Sequence, residues 1–195
     1  METQPGIFAR LAAETALDGC EPATLLALLK HPLLRLGRAR YGWRSAIETF
    51  ELALLRGPRP PAGCVGLVKE FAIFRGELAK LKRGDASALH PSEPRTRLSE
   101  PSLDEAQDLI AQLQAALVPL ETVGPNPLDL CEIGARHCAA LKALTTDDEG
   151  IAEVFEGPQG SALLRAFDDL AAVGAGERRA RRGTRLWRSV RDRVR

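Results

Sequence analysis

The stretch CVGLVKEFAIFRGELAKLKR, residues 64–83, decides the fold: Leu67, Phe71, Phe74, Leu78 and Leu81 recur at alternating steps of four and three, so all five share one helical face. Lys80, Lys82 and Arg83 fall in the last turn before Gly84, where cations complement the negative end of the helix dipole and glycine takes the left-handed closing position. That placement explains them without a ligand. Upstream, Gly57-Pro58 and Arg59-Pro60-Pro61 form a stiff connector, and the run from Trp43 to Arg56 presents Ile47, Phe50, Leu54 and Leu55 as a second helical face. Farther back, Pro22 suits a first helical turn, Leu25, Leu26, Leu28 and Leu29 surround most of the circumference, and Pro32 stops the helix near Lys30. A first helix carries Ile7, Phe8 and Leu11 and ends at Asp18-Gly19.

Downstream, residues 85–101 hold three prolines and no apolar period, which predicts a surface loop. Ser102-Leu103-Asp104-Glu105 predicts a capping box opening a helix with Leu109, Leu113, Ala116, Leu117 and Leu120 inside and a kink or end at Pro119. Asn126 with Pro127 predicts the start of another helix, striped by Leu130, Ile133, His137, Leu141 and Leu144. A last helix, about Ser161 to Val173, is expected to bury Ala162, Leu163, Ala166, Phe167 and Leu170. The organisation expected is an all-α, multi-helix bundle: a helical subdomain over 1–84, a linker over 85–101, a second helical subdomain over 102–176 and a basic tail over 177–195.

Composition agrees with that reading. Leucine occurs 30 times, against 14 isoleucines and valines together and one tyrosine, a balance favouring helix over strand. A chain of 195 residues buries enough surface to fold without disulfides or a metal, so composition forces no cofactor. No apolar run approaches the ~20 residues that cross a bilayer, and the opening Met1-Glu2-Thr3-Gln4-Pro5 lacks the features of a secretory signal, so a cytoplasmic protein with no membrane partner is expected. The net charge of +1 is unevenly spread: residues 101–176 carry 3 basic and 13 acidic side chains, and residues 177–195 carry 9 and 2.

Candidate chemistry is sparse. Cys20, Cys64, Cys131 and Cys138 match no zinc, redox or iron–sulfur spacing, and reduced, buried thiols are expected. His137, Cys131 and Cys138 share nearly one helical face but supply three soft ligands where structural zinc takes four, so a hydrogen-bonded core histidine is the better reading. Asp147-Asp148-Glu149 reads as charge at a helix start rather than an acid–base pair. Phosphate loops, nucleophile elbows and a small-molecule site find no support in the spacing. The tail offers the one suggestive segment: Arg178, Arg179, Arg181 and Arg182 with Trp187 have the composition that grips phosphates and stacks on a base.

Two stretches carry a resemblance. Leu25-Leu26-Ala27-Leu28-Leu29-Lys30-His31-Pro32-Leu33 and Leu55-Arg56-Gly57-Pro58-Arg59-Pro60 resemble, in order and separation, the middle of alphaproteobacterial AddB, the helicase-like and nuclease subunit of AddAB double-strand-break repair complexes. Ala135-Arg136-His137-Cys138-Ala139-Ala140-Leu141 and Val154-Phe155-Glu156-Gly157-Pro158-Gln159-Gly160 are similar to two later helical stretches of that family, bringing the coverage to about residues 4–173. The resemblance implies the helical part of an inactivated helicase domain, acting in DNA end processing for recombination with an AddA-type motor subunit and DNA as partners. It places the family's nucleotide-binding loop before this region, and its nuclease residues and iron–sulfur cysteines after it, so it carries no catalytic residue onto these positions. The arginine-rich end departs from the family pattern. The alternative from another class is a stand-alone helical protein-interaction module.

Overall fold

The structure, a computed structural model, describes residues 3–57, 60–121 and 129–172. It is all-α, as expected: α1 (Gln4–Leu17), α2 (Pro22–Leu29), α3 (Arg44–Phe50), α4 (Gly63–Arg83), α5 (Glu100–Glu121) and α6 (Leu130–Thr145) are followed by α7 over 157–172. Among the described residues the only extended pairing is an isolated bridge between Thr146 and Ala152.

The long α5 is the hub, packing against α1, α3, α4 and α6. Its buried residues, Leu103, Ala106, Leu109, Ile110, Leu113, Ala116, Leu117 and Leu120, repeat at steps of three and four and form a continuous apolar face. The face read from residues 64–83 is there too, with Leu67, Phe71, Phe74 and Leu78 buried. One core cluster runs from Phe8 to Val154, so the halves on either side of residues 85–101 share a single interior. Burying a leucine or phenylalanine side chain in it contributes roughly 1.5–3 kcal/mol.

Local chemistry sets most boundaries. Thr3 caps α1 and Gly19, at φ +70°, reverses the chain after it. Glu21 accepts the Ala23 and Thr24 amides with Pro22 in the first turn of α2, and Gly84 closes α4 in the left-handed region. After Phe50 the helix continues in π geometry over Glu51–Leu55, reaching the end expected near Arg56.

Several boundaries move. The cap of α5 is Ser99, whose Oγ accepts the Ser102 amide at 3.3 Å, so the helix starts at Glu100 and Pro101 stands in its first turn, where an amide hydrogen is not needed. The capping box expected at Ser102 therefore sits one turn too late. Pro119 lies inside α5, which runs on to Glu121; its carbonyl, in the last turn and so without a helical donor, accepts from the Arg136 guanidinium at 3.3 Å. Within 85–101 a short 3-10 turn forms over Pro94–Arg97. Asn126 and Pro127 lie outside the described residues; α6 is described from Leu130, capped by Asp129.

The stripe on α6 is only half an interior face. Leu141 and Leu144 are fully buried, but Leu130 is 65% and Ile133 38% exposed, while Cys131, Gly134 and Ala140 turn inward. The hub α5 reaches only part of α6, and its first turns meet the peripheral α7 instead. Against Gly134 comes Leu170, closer than a Cβ would tolerate. The burial expected on α7 is correspondingly shallow: Leu163, Phe167 and Leu170 are half-buried, and Ala162 and Ala166 are exposed. Asp147 does not start a helix. Its carboxylate accepts the Glu149 and Ile151 amides at 3.0 and 2.8 Å, making an Asx turn that closes the Thr146 bridge.

Candidate nucleic-acid interface and a thiol–carboxylate cluster

Between Glu21 and Glu48 the chain has no carboxylate, yet it carries Lys30, Arg35, Arg38, Arg40 and Arg44. The irregular part of this stretch, residues 31–43, is pinned to the end of α6. The Arg35 and Leu36 amides donate to the Leu144 carbonyl at 2.9 and 3.1 Å, and the Gly37 amide donates to the Thr146 carbonyl at 2.8 Å. These bonds satisfy carbonyls that a helix end leaves without intrahelical partners.

Arg35 is the inner brace, 4% exposed, donating to the carbonyls of Pro32 (2.7 Å) and Leu34 (3.0 Å) and pairing with Glu153 at 3.2 Å. The Trp43 indole donates to the Arg35 carbonyl at 2.7 Å and is itself covered by the Arg38 guanidinium, 3.6 Å from the ring centre. Leu36 (φ +48°), Gly37 (φ +75°) and Tyr41 (φ +64°) occupy the left-handed region. For leucine and tyrosine that conformation costs on the order of 1–2 kcal/mol each. Strain of this kind persists only where the surrounding contacts over-determine it.

The braced segment leaves Tyr41 62% exposed, with the Arg40 guanidinium 5.0 Å from its ring centre. Tyr41, Lys30 and Arg44 rim a groove of about 360 Å³ whose apolar wall includes Leu29, Leu34, Trp43 and Ile47. Lys30 pairs with Glu51 at 2.7 Å and Arg44 with Glu48 at 3.2 Å, both cations well exposed. Exposed pairs of this kind are worth about 0–1 kcal/mol and yield readily to a phosphate. His31 adds no charge at neutral pH, because burial beside Phe8 pushes its pKa below the ordinary value. The arrangement combines cations, an exposed ring and an apolar slot, which suits a phosphodiester strand with a base to stack. The signal available in the sequence was the acid-free interval, hidden because the arginines lie among leucines rather than in one run.

The tail residues Arg178, Arg179, Arg181, Arg182 and Trp187 lie outside the described residues. His137 has the core role expected of it: Nε2 lies 2.9 Å from the Ala9 carbonyl and the ring meets Phe167 edge-on. Burial lowers its pKa, partly offset by that carbonyl. The Cys131 thiol donates to the Leu170 carbonyl at 3.1 Å.

A different set of candidate metal ligands, two thiols and a carboxylate, comes together. The Cys20 and Cys64 sulfurs are 3.5 Å apart, Cys20 Sγ is 3.4 Å from Glu121 Oε1, and all three ligand atoms lie within 4.8 Å of one another. Both thiols are buried, at 3% and 1% exposure. The Cys64 amide donates to Glu121 Oε1 at 2.8 Å, so the last turn of α5 caps the first turn of α4. Cys20 reaches the cluster because it sits at φ +61°, and the Gly63 amide ties the turn by donating to the Gly19 carbonyl at 2.8 Å. Hydrogen bonding to Cys20, burial and the Glu121 charge all hold the Cys64 thiol protonated. Sequence spacing could not show this group, because its members are separated by 44 and 57 positions.

What the described residues define is an all-helical bundle bearing a braced cationic loop. No protein-family model, curated protein or solved structure matches the chain. Among the described residues no helix is long and apolar enough to cross a membrane.

Proposed function

We propose that this chain is a noncatalytic, cytoplasmic helical portion of an AddB-type DNA double-strand-break repair subunit, holding a DNA strand on residues 30–44 beside an AddA-type motor subunit. The observation that carries this reading is the braced loop: a carboxylate-free interval, strained at Leu36 and Tyr41, that sets Tyr41, with Arg40 against its ring, on the rim of an apolar groove. The stretch Leu25 to Leu33, which bears the resemblance, supplies one side of that groove through Leu29, Lys30 and His31.

Fluorescence anisotropy of the full chain with a single-stranded oligonucleotide across a salt series tests it. Affinity should fall with salt at a slope of about −0.7 per phosphate neutralised. Tyr41→Ala should weaken binding by about 1–3 kcal/mol, the worth of one stacked base. Arg40→Glu should weaken it further, and more than replacing Arg178, Arg179, Arg181 and Arg182 with alanine. Binding that survives both loop substitutions, or is lost only with the tail arginines, would overturn the reading.

The interaction-module alternative has one observation in its favour. Leu17, Leu130 and Ile133 are exposed, and Leu17 and Ile133 line a shallow apolar depression with Ala13, Pro119 and Leu120.

A further inference from the structure

We propose that Cys20, Cys64 and Glu121 form a binding site for a zinc-like divalent cation, with a fourth position left to water or an outside donor. The inference is independent of the DNA reading, since the three residues join the α1–α2 turn, the first turn of α4 and the last turn of α5. Two thiols and a carboxylate are a borderline-soft donor set, which suits zinc or cadmium and not magnesium or calcium.

Distances agree with the chemistry. With Zn–S bonds near 2.3 Å and Zn–O near 2.0 Å, a tetrahedral centre sets two sulfurs about 3.8 Å apart and a sulfur and an oxygen about 3.5 Å apart. Here the sulfurs are 3.5 Å apart and the Cys20 sulfur is 3.4 Å from Glu121 Oε1. The donors therefore need to spread by about 0.3 Å or less along these two edges to admit the ion. The carboxylate is already oriented: the Cys64 amide donates to Glu121 Oε1 at 2.8 Å, the kind of bond that fixes a ligating oxygen's direction. Binding is balanced as one divalent cation entering, two thiol protons leaving to buffer, and the carboxylate retaining its charge.

The probes are Zn²⁺ and Cd²⁺ with the reduced full chain. Expected are one equivalent of Zn²⁺ held against a chromophoric chelator, and an ultraviolet thiolate-to-metal charge-transfer band with Cd²⁺ of an intensity set by two thiolates. Proton release should rise in step with metal added. Glu121→Gln removes a direct ligand and should weaken Zn²⁺ binding by about 10-fold or more, with the band retained. Cys20→Ser should halve the band, and Cys138→Ser, outside the cluster, should leave binding and band unchanged. The wild-type band needs no variant to fold. Its absence from a chain that circular dichroism shows to be helical overturns the site, as does equal binding by Cys20→Ser. Conversion of the pair to a disulfide in preference to metal uptake, read by thiol counting in Zn²⁺-equilibrated buffer without reductant, overturns it too.

Discussion

The segment joining α2 to α3 and the segment joining α4 to α5 are both irregular and both bear arginines, yet they hold their charges differently. Between α4 and α5, Arg83 pairs with Asp85, Arg95 with Glu93 and Lys82 with Glu100, while Glu77 binds Lys80, Ser87 and the Ala88 amide. Between α2 and α3, Arg35 is spent on bracing, and Arg38 and Arg40 lie against the rings of Trp43 and Tyr41. A cation matched by a carboxylate has little field left for a ligand. One resting on a ring keeps its charge facing water. The α4–α5 connector is largely closed upon itself, and the α2–α3 connector is held rigid by the core while presenting charge.

The largest test of that contrast removes the brace. Arg35→Ala leaves the Pro32 and Leu34 carbonyls and Glu153 without their donor and should cost about 2–3 kcal/mol in urea unfolding, the scale of lost hydrogen bonds to a buried charged group. Arg95→Ala on the other connector should cost about 1 kcal/mol or less, as a part-exposed pair does. Equal costs would erase the distinction between the two segments.

Tyr41 gives the next effect, with the opposite sign. Tyr41→Gly relieves the left-handed backbone and gives up little buried area, so it should stabilise the chain by about 1 kcal/mol while weakening oligonucleotide binding. A destabilised variant would mean that the ring does structural work in this loop.

The smallest effect concerns acid. Lys80, the Ala88 amide and Ser87 hold the Glu77 carboxyl down at about 2. A depressed carboxyl contributes stability that is full above its unfolded value of 4.5 and is lost as pH falls from there towards about 2. The protection factor of the Ala88 amide, its rate corrected for the intrinsic pH dependence of exchange, should fall over that window with that of the Gly37 amide little changed, and Glu77→Gln should remove this fall. If Gly37 opened first, the braced connector would be the weaker of the two.

How much of this was legible follows from the range of each interaction. The faces of α4 and α5, the first turn of α2 at Pro22 and the stop at Gly84 depend on residues within about one or two turns, so the sequence exposes them directly. Ser102 misled because Ser99 sits one turn earlier with an equally good hydroxyl, and Pro101 is harmless in a first turn. Leu130 and Ile133 misled because periodicity gives a face but not the length of the partner that covers it.

The sequence by itself determined the class of fold and the order of helices, since propensity, periodicity and capping act between near neighbours along the chain. Only the tertiary structure brought Cys20, Cys64 and Glu121 together and fastened residues 35–37 to the end of α6. Those contacts join positions 44 to more than 100 apart. They arise from packing against α5, which no local pattern records.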